Sequence, residues 1–148
     1  LLTPILITYL AGTMHQKKHL FTLRAAARLK QRKKIDALFT SGQKMTVGEI
    51  RLVYHVTKTE EPVRFLVGVG VSKRYFKKAV DRNLIKRRLR EAIRLERPGF
   101  LPVVDQLGKN LDLFVLFTGK QIIGFDQCQE LIQAAFKKLT RKLQPRDA

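Results

Sequence analysis

The sequence predicts an α+β protein, one compact sandwich whose elements run in the order α-β-β-β-α-β-α. Apolar residues alternate from Ile50 to Val56 and again from Phe65 to Val71, which is the period of a strand. They recur at helical spacing through residues 82–96 and again after Asp126. At 148 residues and 45% hydrophobic, the chain can fill one core of ordinary size and has no room for a second independent domain.

Each element has its own local reason. Ala25, Ala26, Ala27, Leu29, Ile35, Leu38 and Phe39 stand among basic residues, a composition that favours helix, and Ser41-Gly42 supplies a stop. A helix is expected over about residues 31–40, preceded by a looser basic arm. From Lys44 to Val56, Val47 and the alternating Ile50, Leu52, Tyr54 and Val56 predict two strands or one bent strand, interrupted at Gly48. TKTEEP (57–62) reads as a turn, and the alternation over 65–71 as a further strand, antiparallel to the one before it across a short loop. Gly68 and Gly70 lack the GxGxxG or GxxxxGK[ST] context of a phosphate loop and are expected to pack closely against a helix. The basic helix follows and is expected to end at Arg97-Pro98-Gly99, with a loop to about Asn110. Leu111 to Phe117 is almost continuously apolar, as in an interior strand. Asp126 is the expected cap of a last helix carrying Leu131, Ala134, Ala135 and Leu139.

Charge narrows the function. A formal net charge of +18 and a pI near 10.6 exceed what solubility needs, and nucleic acid is the leading partner. Residues 72–97 concentrate the effect, with eleven Lys or Arg against three acids. Cys128 is alone, so no intrachain disulfide and no Cys/His zinc cluster is available, and a reducing cytoplasm is expected. The leader LLTPILITYLAGT is apolar but too short for a membrane span of ~20 residues, and it lacks a basic n-region. Composition turns basic at Met14, the expected native start. Residues 1–19 are therefore expected to be extraneous or disordered, 20–143 to form the domain, and 144–148 to be a tail.

Projected at about 100° per residue, Arg82, Asn83, Lys86, Arg87, Arg90 and Arg94 fall in one arc of about 140°, beside an apolar arc of Ile85, Leu89, Ala92 and Ile93. Arg88 projects to the edge of the core arc, where it can snorkel. An ordinary charged helix face is merely solvated, but here Arg82, Lys86 and Arg90 repel one another at i,i+4, and an anionic partner removes that penalty. The preference for Arg over Lys favours forked bonds to phosphate. Asn83 is open to two readings, an RNA contact or a local cap.

Residues 79–91, AVDRNLIKRRLRE, closely resemble the signature of the bacterial ribonuclease P protein subunit, R-N-x-x-K-R-x-x-R-E, with Arg82, Asn83, Lys86, Arg87, Arg90 and Glu91 all matching. The resemblance runs from roughly Leu20 to Lys142 and includes RLK (28–30), LFTSG (38–42) and VGVSK (69–73) in the family's order. It implies the family's fold, with a left-handed β-α-β crossover that general handedness rules would not have suggested. It also implies that the partners are a catalytic RNA and precursor tRNA, that the RNA subunit performs the cleavage that removes the 5′ leader, and that Mg2+ acts through the RNA. By the same resemblance Arg82, Asn83, Lys86, Arg87 and Arg90 contact the catalytic RNA, with Arg94 continuing their arc. A leader-binding cleft between the first helix and the sheet is expected at Ile35, Phe39, Tyr54 and Lys73. Where many relatives have an aromatic residue on the first helix this chain has Ile35, which leaves apolar contact there in place of stacking. For Phe39, base stacking and core packing are equal expectations.

No protein-only nuclease is visible: Asp36, Asp81, Asp105, Asp112 and Asp126 are scattered, and His15, His19 and His55 sit in no motif. A ribosomal or general RNA-chaperone protein accounts for the charge but not for the full signature after VGVSK. A membrane-active cationic protein accounts for the charge and leader but not for the core, and no membrane partner is expected.

Overall fold

A computed structural model of the chain describes residues 28–58 and 65–144. The expected start at Met14, the leader, most of the basic arm, the greater part of the turn over 57–62 and residues 145–148 lie outside them. Helix α1 spans Arg32–Ser41, and its stripe of Ile35, Leu38 and Phe39 follows the i, i+3, i+4 spacing of a helix face. Its last turn is closed by Thr40 and Ser41, whose hydroxyls donate to the carbonyls of Asp36 and Ala37 at 2.8 and 2.9 Å. The chain then turns at Gly42, where any Cβ would collide with the carbonyl oxygen of Leu38. The stop predicted at Ser41-Gly42 is where the helix ends.

Strands β1 (Gln43–Val47) and β2 (Ile50–Lys58) form an antiparallel hairpin in which Val47 faces Ile50. Gly48 makes the two-residue loop possible with φ of +54°, a left-handed conformation that costs glycine little. Strand β3 spans Phe65–Val71, helix α2 spans Ala79–Leu107, and β4 covers Lys109–Phe117. Helix α3, Phe125–Leu143, completes the order α-β-β-β-α-β-α.

The sheet runs β1-β2-β4-β3, which corrects the expected pairing of β2 with β3. Strand β4 lies between them, antiparallel to β2 and parallel to β3. Leu111, Leu113, Val115 and Phe117 are completely buried, and this apolar strand takes the interior place with neighbours on both edges. The outer edge of β3 meets the chain before α1, where the Leu29 amide donates to the Val67 carbonyl at 2.9 Å.

Helices α2 and α3 cover one face of the sheet, burying Ile50, Leu52, Val67 and Phe117 with Ile85, Leu89, Ile93, Ile132 and Leu139. The other face carries a smaller cluster of Leu29, Leu38 and Val53 beneath α1. Two helix boundaries differ from expectation. Helix α2 continues through Pro98 and Pro102 to a left-handed Gly108. Each interior proline costs about 3 kcal/mol or more, but burying an aromatic or aliphatic side chain returns about 1.5–3 kcal/mol. The extension buries Phe100 and Val104, and Phe100 lies 5.2 Å from the Phe65 ring and 4.9 Å from the Phe136 ring. In α3 the cap position is Gly124, and Asp126 sits inside the first turn without a capping bond. There it still favours the positive end of the helix dipole. The buried stripe of α3 is Cys128, Ile132, Ala135, Phe136 and Leu139, so Ala134 points outward.

Candidate nucleic-acid interface

Helix α2 is anchored by its apolar arc: Ile85, Leu89, Ala92 and Ile93 are completely buried. That anchoring turns Asn83, Arg87 and Arg90 to solvent, with Lys86 half-buried beside them. None of these four side chains takes part in a hydrogen bond or ion pair among the described residues, so their donors are available to a partner. No cap is formed by Asn83.

Two arginines of the expected basic arc are engaged elsewhere. Arg82 bends back, and its Nη1 donates to the carbonyls of Phe76 at 2.7 Å and Lys77 at 2.9 Å. It clamps the loop that enters α2 and is only half exposed. Arg94 forms a forked pair with Glu91, Nε to Oε2 at 3.0 Å and Nη2 to Oε1 at 2.5 Å. The hydrogen bonds from Arg94 hold the Glu91 carboxyl below the usual carboxylate range. Helical spacing alone could not show either engagement, because a projection records direction and not reach. Arg88 behaves as its edge position implies, half-buried, with Nη1 donating to the Ile123 carbonyl at 2.7 Å.

The expected cleft is only partly assembled. Ile35 and Phe39 are half-buried and pack with Val53 and Phe114, the Phe39 and Phe114 rings meeting edge to face at 5.0 Å and 66°. Tyr54 does not join them. It is 4% exposed and belongs to the core under α2 and α3, because strand alternation places it with Leu52 on the face opposite Val53. Its hydroxyl donates to Gln43 Oε1 at 2.8 Å, and burial pushes its pKa up. Lys73 is exposed in the loop past the end of β3, in line with the basic segment that leads into α2.

Sequence reasoning passed over other surface residues. Arg51 and His55 share the sheet face of Val53 and are exposed, as counting by two from Val53 would have shown. Tyr75 is 41% exposed between Arg74 and Lys120, and its contact with Lys120 has no sequence signal. Gly68 and Gly70 pack closely, but against a ring on the neighbouring strand and not against a helix: an added Cβ at either would stand 2.8 Å from Phe114. No described helix is long and apolar enough to cross a membrane.

A family model described as Ribonuclease P matches residues 23–144. The ribonuclease P protein component of Porphyromonas gingivalis strain ATCC 33277 is 35% identical over 77 residues, which cover 52% of this chain and 56% of that protein. The ribonuclease P protein component of Chlorobaculum tepidum is 41% identical over 68 residues, 43% of each chain. The aligned part of the chain thus spans about half the length of these relatives. The structure of the Staphylococcus aureus RNase P protein superposes with a TM-score of 0.59 at 21% identity, covering 77% of this chain and 95% of that one, a likeness of fold.

Proposed function

Since the chain belongs to the ribonuclease P protein family, we propose that it is the protein subunit of a ribonuclease P holoenzyme, an endoribonuclease whose chemistry resides in its RNA. In this reading the protein binds the catalytic RNA and the 5′ leader of precursor tRNA and assists removal of that leader in the cytoplasm. Residues 20–143 are the functional domain.

The observation that carries the reading is the outer face of α2. Among the described residues Asn83, Lys86, Arg87 and Arg90 have no partner, and they stand above an apolar side that is wholly buried, so the helix is fixed while its donors are open to a ligand. Guanidinium groups in that arrangement can fork onto phosphate oxygens, and the binding constant will fall steeply with salt. Arg82 contributes by holding the entry loop, and Arg94 by way of its pair with Glu91. Ile35 and Phe39, with Phe114 beneath them, offer an apolar and aromatic surface to the unpaired leader. Tyr54 has no part in that surface. Magnesium enters with the RNA, whose phosphate charge it neutralises. Among the described residues no three His, Cys, Asp or Glu side chains gather to hold a metal, and no metal step is assigned to the chain.

The test is cleavage of a 5′-extended precursor tRNA at low magnesium by protein alone, catalytic RNA alone and the two together, with the product end mapped. Cleavage at the mature 5′ end that is strongly enhanced only in the mixture is the expected result. Activity of the protein alone after further purification would place the active site in this chain. An absence of enhancement would leave a general RNA-binding role.

A further inference from the structure

The loop between β3 and α2 is built to hold one aromatic ring at the surface. Phe76 is buried, its ring 6.0 Å from that of Phe117, and the carbonyls of Phe76 and Lys77 are held by Arg82. On the other side of Tyr75, the Arg74 amide donates to the Ser72 hydroxyl at 3.3 Å. The Tyr75 ring therefore leaves an anchored backbone while staying 41% exposed, and its hydroxyl has no partner among the described residues. Two cations from different loops approach it, Arg74 at 5.6 Å and Lys120 at 5.5 Å from the ring centroid. Neither residues 72–78 nor residues 118–124 contain an acid, and the one carboxylate placed beside the second loop is that of Glu49, next to Gly119.

We infer that Tyr75, flanked by Arg74 and Lys120, is a stacking site for one unpaired RNA base, with the two cations taking the adjoining phosphates. The inference rests on the RNA-binding reading above and adds to it a contact beyond the signature helix. Stacking of a base on an aromatic ring outweighs an exposed cation–π contact, so an incoming nucleotide can displace the cations from the ring onto its own backbone. A preorganised ring also loses little freedom on binding.

The chain contains no tryptophan, so Tyr75→Trp provides a single fluorescent reporter at the site. Titrated separately with the catalytic RNA and with 5′-extended precursor tRNA, it is expected to be quenched by at least one of them, which identifies the source of the base. Inorganic polyphosphate at equal phosphate concentration should leave it unquenched. Tyr75→Ala should weaken binding of that same RNA about tenfold without altering its salt dependence, while Tyr75→Phe stays within about twofold. Binding of labelled RNA without quenching, or equal quenching by polyphosphate, overturns the proposal. If Arg87→Ala weakens binding and Tyr75→Ala does not, the stacking site fails while the RNA-binding reading stands. If the unaltered protein holds neither RNA, both fall together.

Discussion

Arg88 and Ile123, thirty-five positions apart, are joined by a hydrogen bond of 2.7 Å from the Arg88 Nη1 to the Ile123 carbonyl. The bond ties the middle of α2 to the loop before α3, while the preceding residue, Arg87, points to solvent. Two consecutive arginines thus have separable tasks. Arg88→Ala leaves a half-buried carbonyl without its donor and is expected to lower stability by about 1–3 kcal/mol in urea denaturation. Arg87→Ala should stay within about 0.5 kcal/mol of the unaltered protein yet weaken RNA binding and reduce its salt slope by about one. Equal stability losses from the two substitutions would contradict this division.

Gly70 lies under the Phe114 ring, and a Cβ there would meet Cε1 and Cζ at 2.8 Å. The ring cannot simply retreat, since its neighbour is Phe39 of α1. Gly70→Ala is expected to cost about 1–3 kcal/mol of stability through overpacking. Combining it with Phe114→Leu should cost less than the two single losses added together. Strict additivity in a denaturant double-mutant cycle would show that the ring is not what crowds the site.

Pro102 is exposed within α2, so its ring contributes little packing while its missing amide leaves the Pro98 carbonyl without the usual helical donor. Pro102→Ala should raise the unfolding free energy by about 1 kcal/mol or more, after allowing for the added freedom of the unfolded chain. A lower unfolding midpoint in Pro102→Ala would mean that the proline sets a bend the core requires.

Burial pushes the Cys128 thiol pKa up, and the nearby Arg88 charge offsets this only in part. The unfolded chain ionises this thiol at its ordinary value, while the folded protein keeps the proton to higher pH. The corresponding stability is complete below the ordinary thiol pKa and is lost as pH rises through the folded value. Tyr54, also raised by burial, acts in the same direction at more alkaline pH. Denaturation measured from pH 7 to about pH 10 should show stability falling with pH, and less steeply in Cys128→Ala. Identical slopes would remove the thiol from the explanation.

The elements that announce themselves in the sequence are those whose apolar period is local. Ile85, Leu89, Ala92 and Ile93 define the buried side of α2 by spacing alone, and the apolar run from Leu111 to Phe117 marks the interior strand. What spacing cannot carry is partnership at long range. Phe100 holds α2 together beyond Pro98 through rings at positions 65 and 136, so the helix outlasts the residues that normally end it. Strand β2 leaves β3 for β4 because the better interior strand comes later in the chain. Tyr54 is a different case. Its alternation with Ile50 and Leu52 already assigned it to their side of the sheet, and Val53 was the residue to follow toward α1.

The place of β4 between β2 and β3 also has a kinetic meaning. The β1–β2 hairpin can close as soon as Lys58 is available, but β3 gains no full-length partner until residue 117 has been made. During synthesis β3 must wait through the whole of α2, an apolar strand with one isolated bridge from Arg28 at its edge. Long-range parallel pairing of this kind is slow and leaves strand edges open to wrong neighbours. Final assembly of the sheet is therefore a late event in the birth of the protein, and the helix that carries the outward-facing cations is also the connection whose length sets the delay.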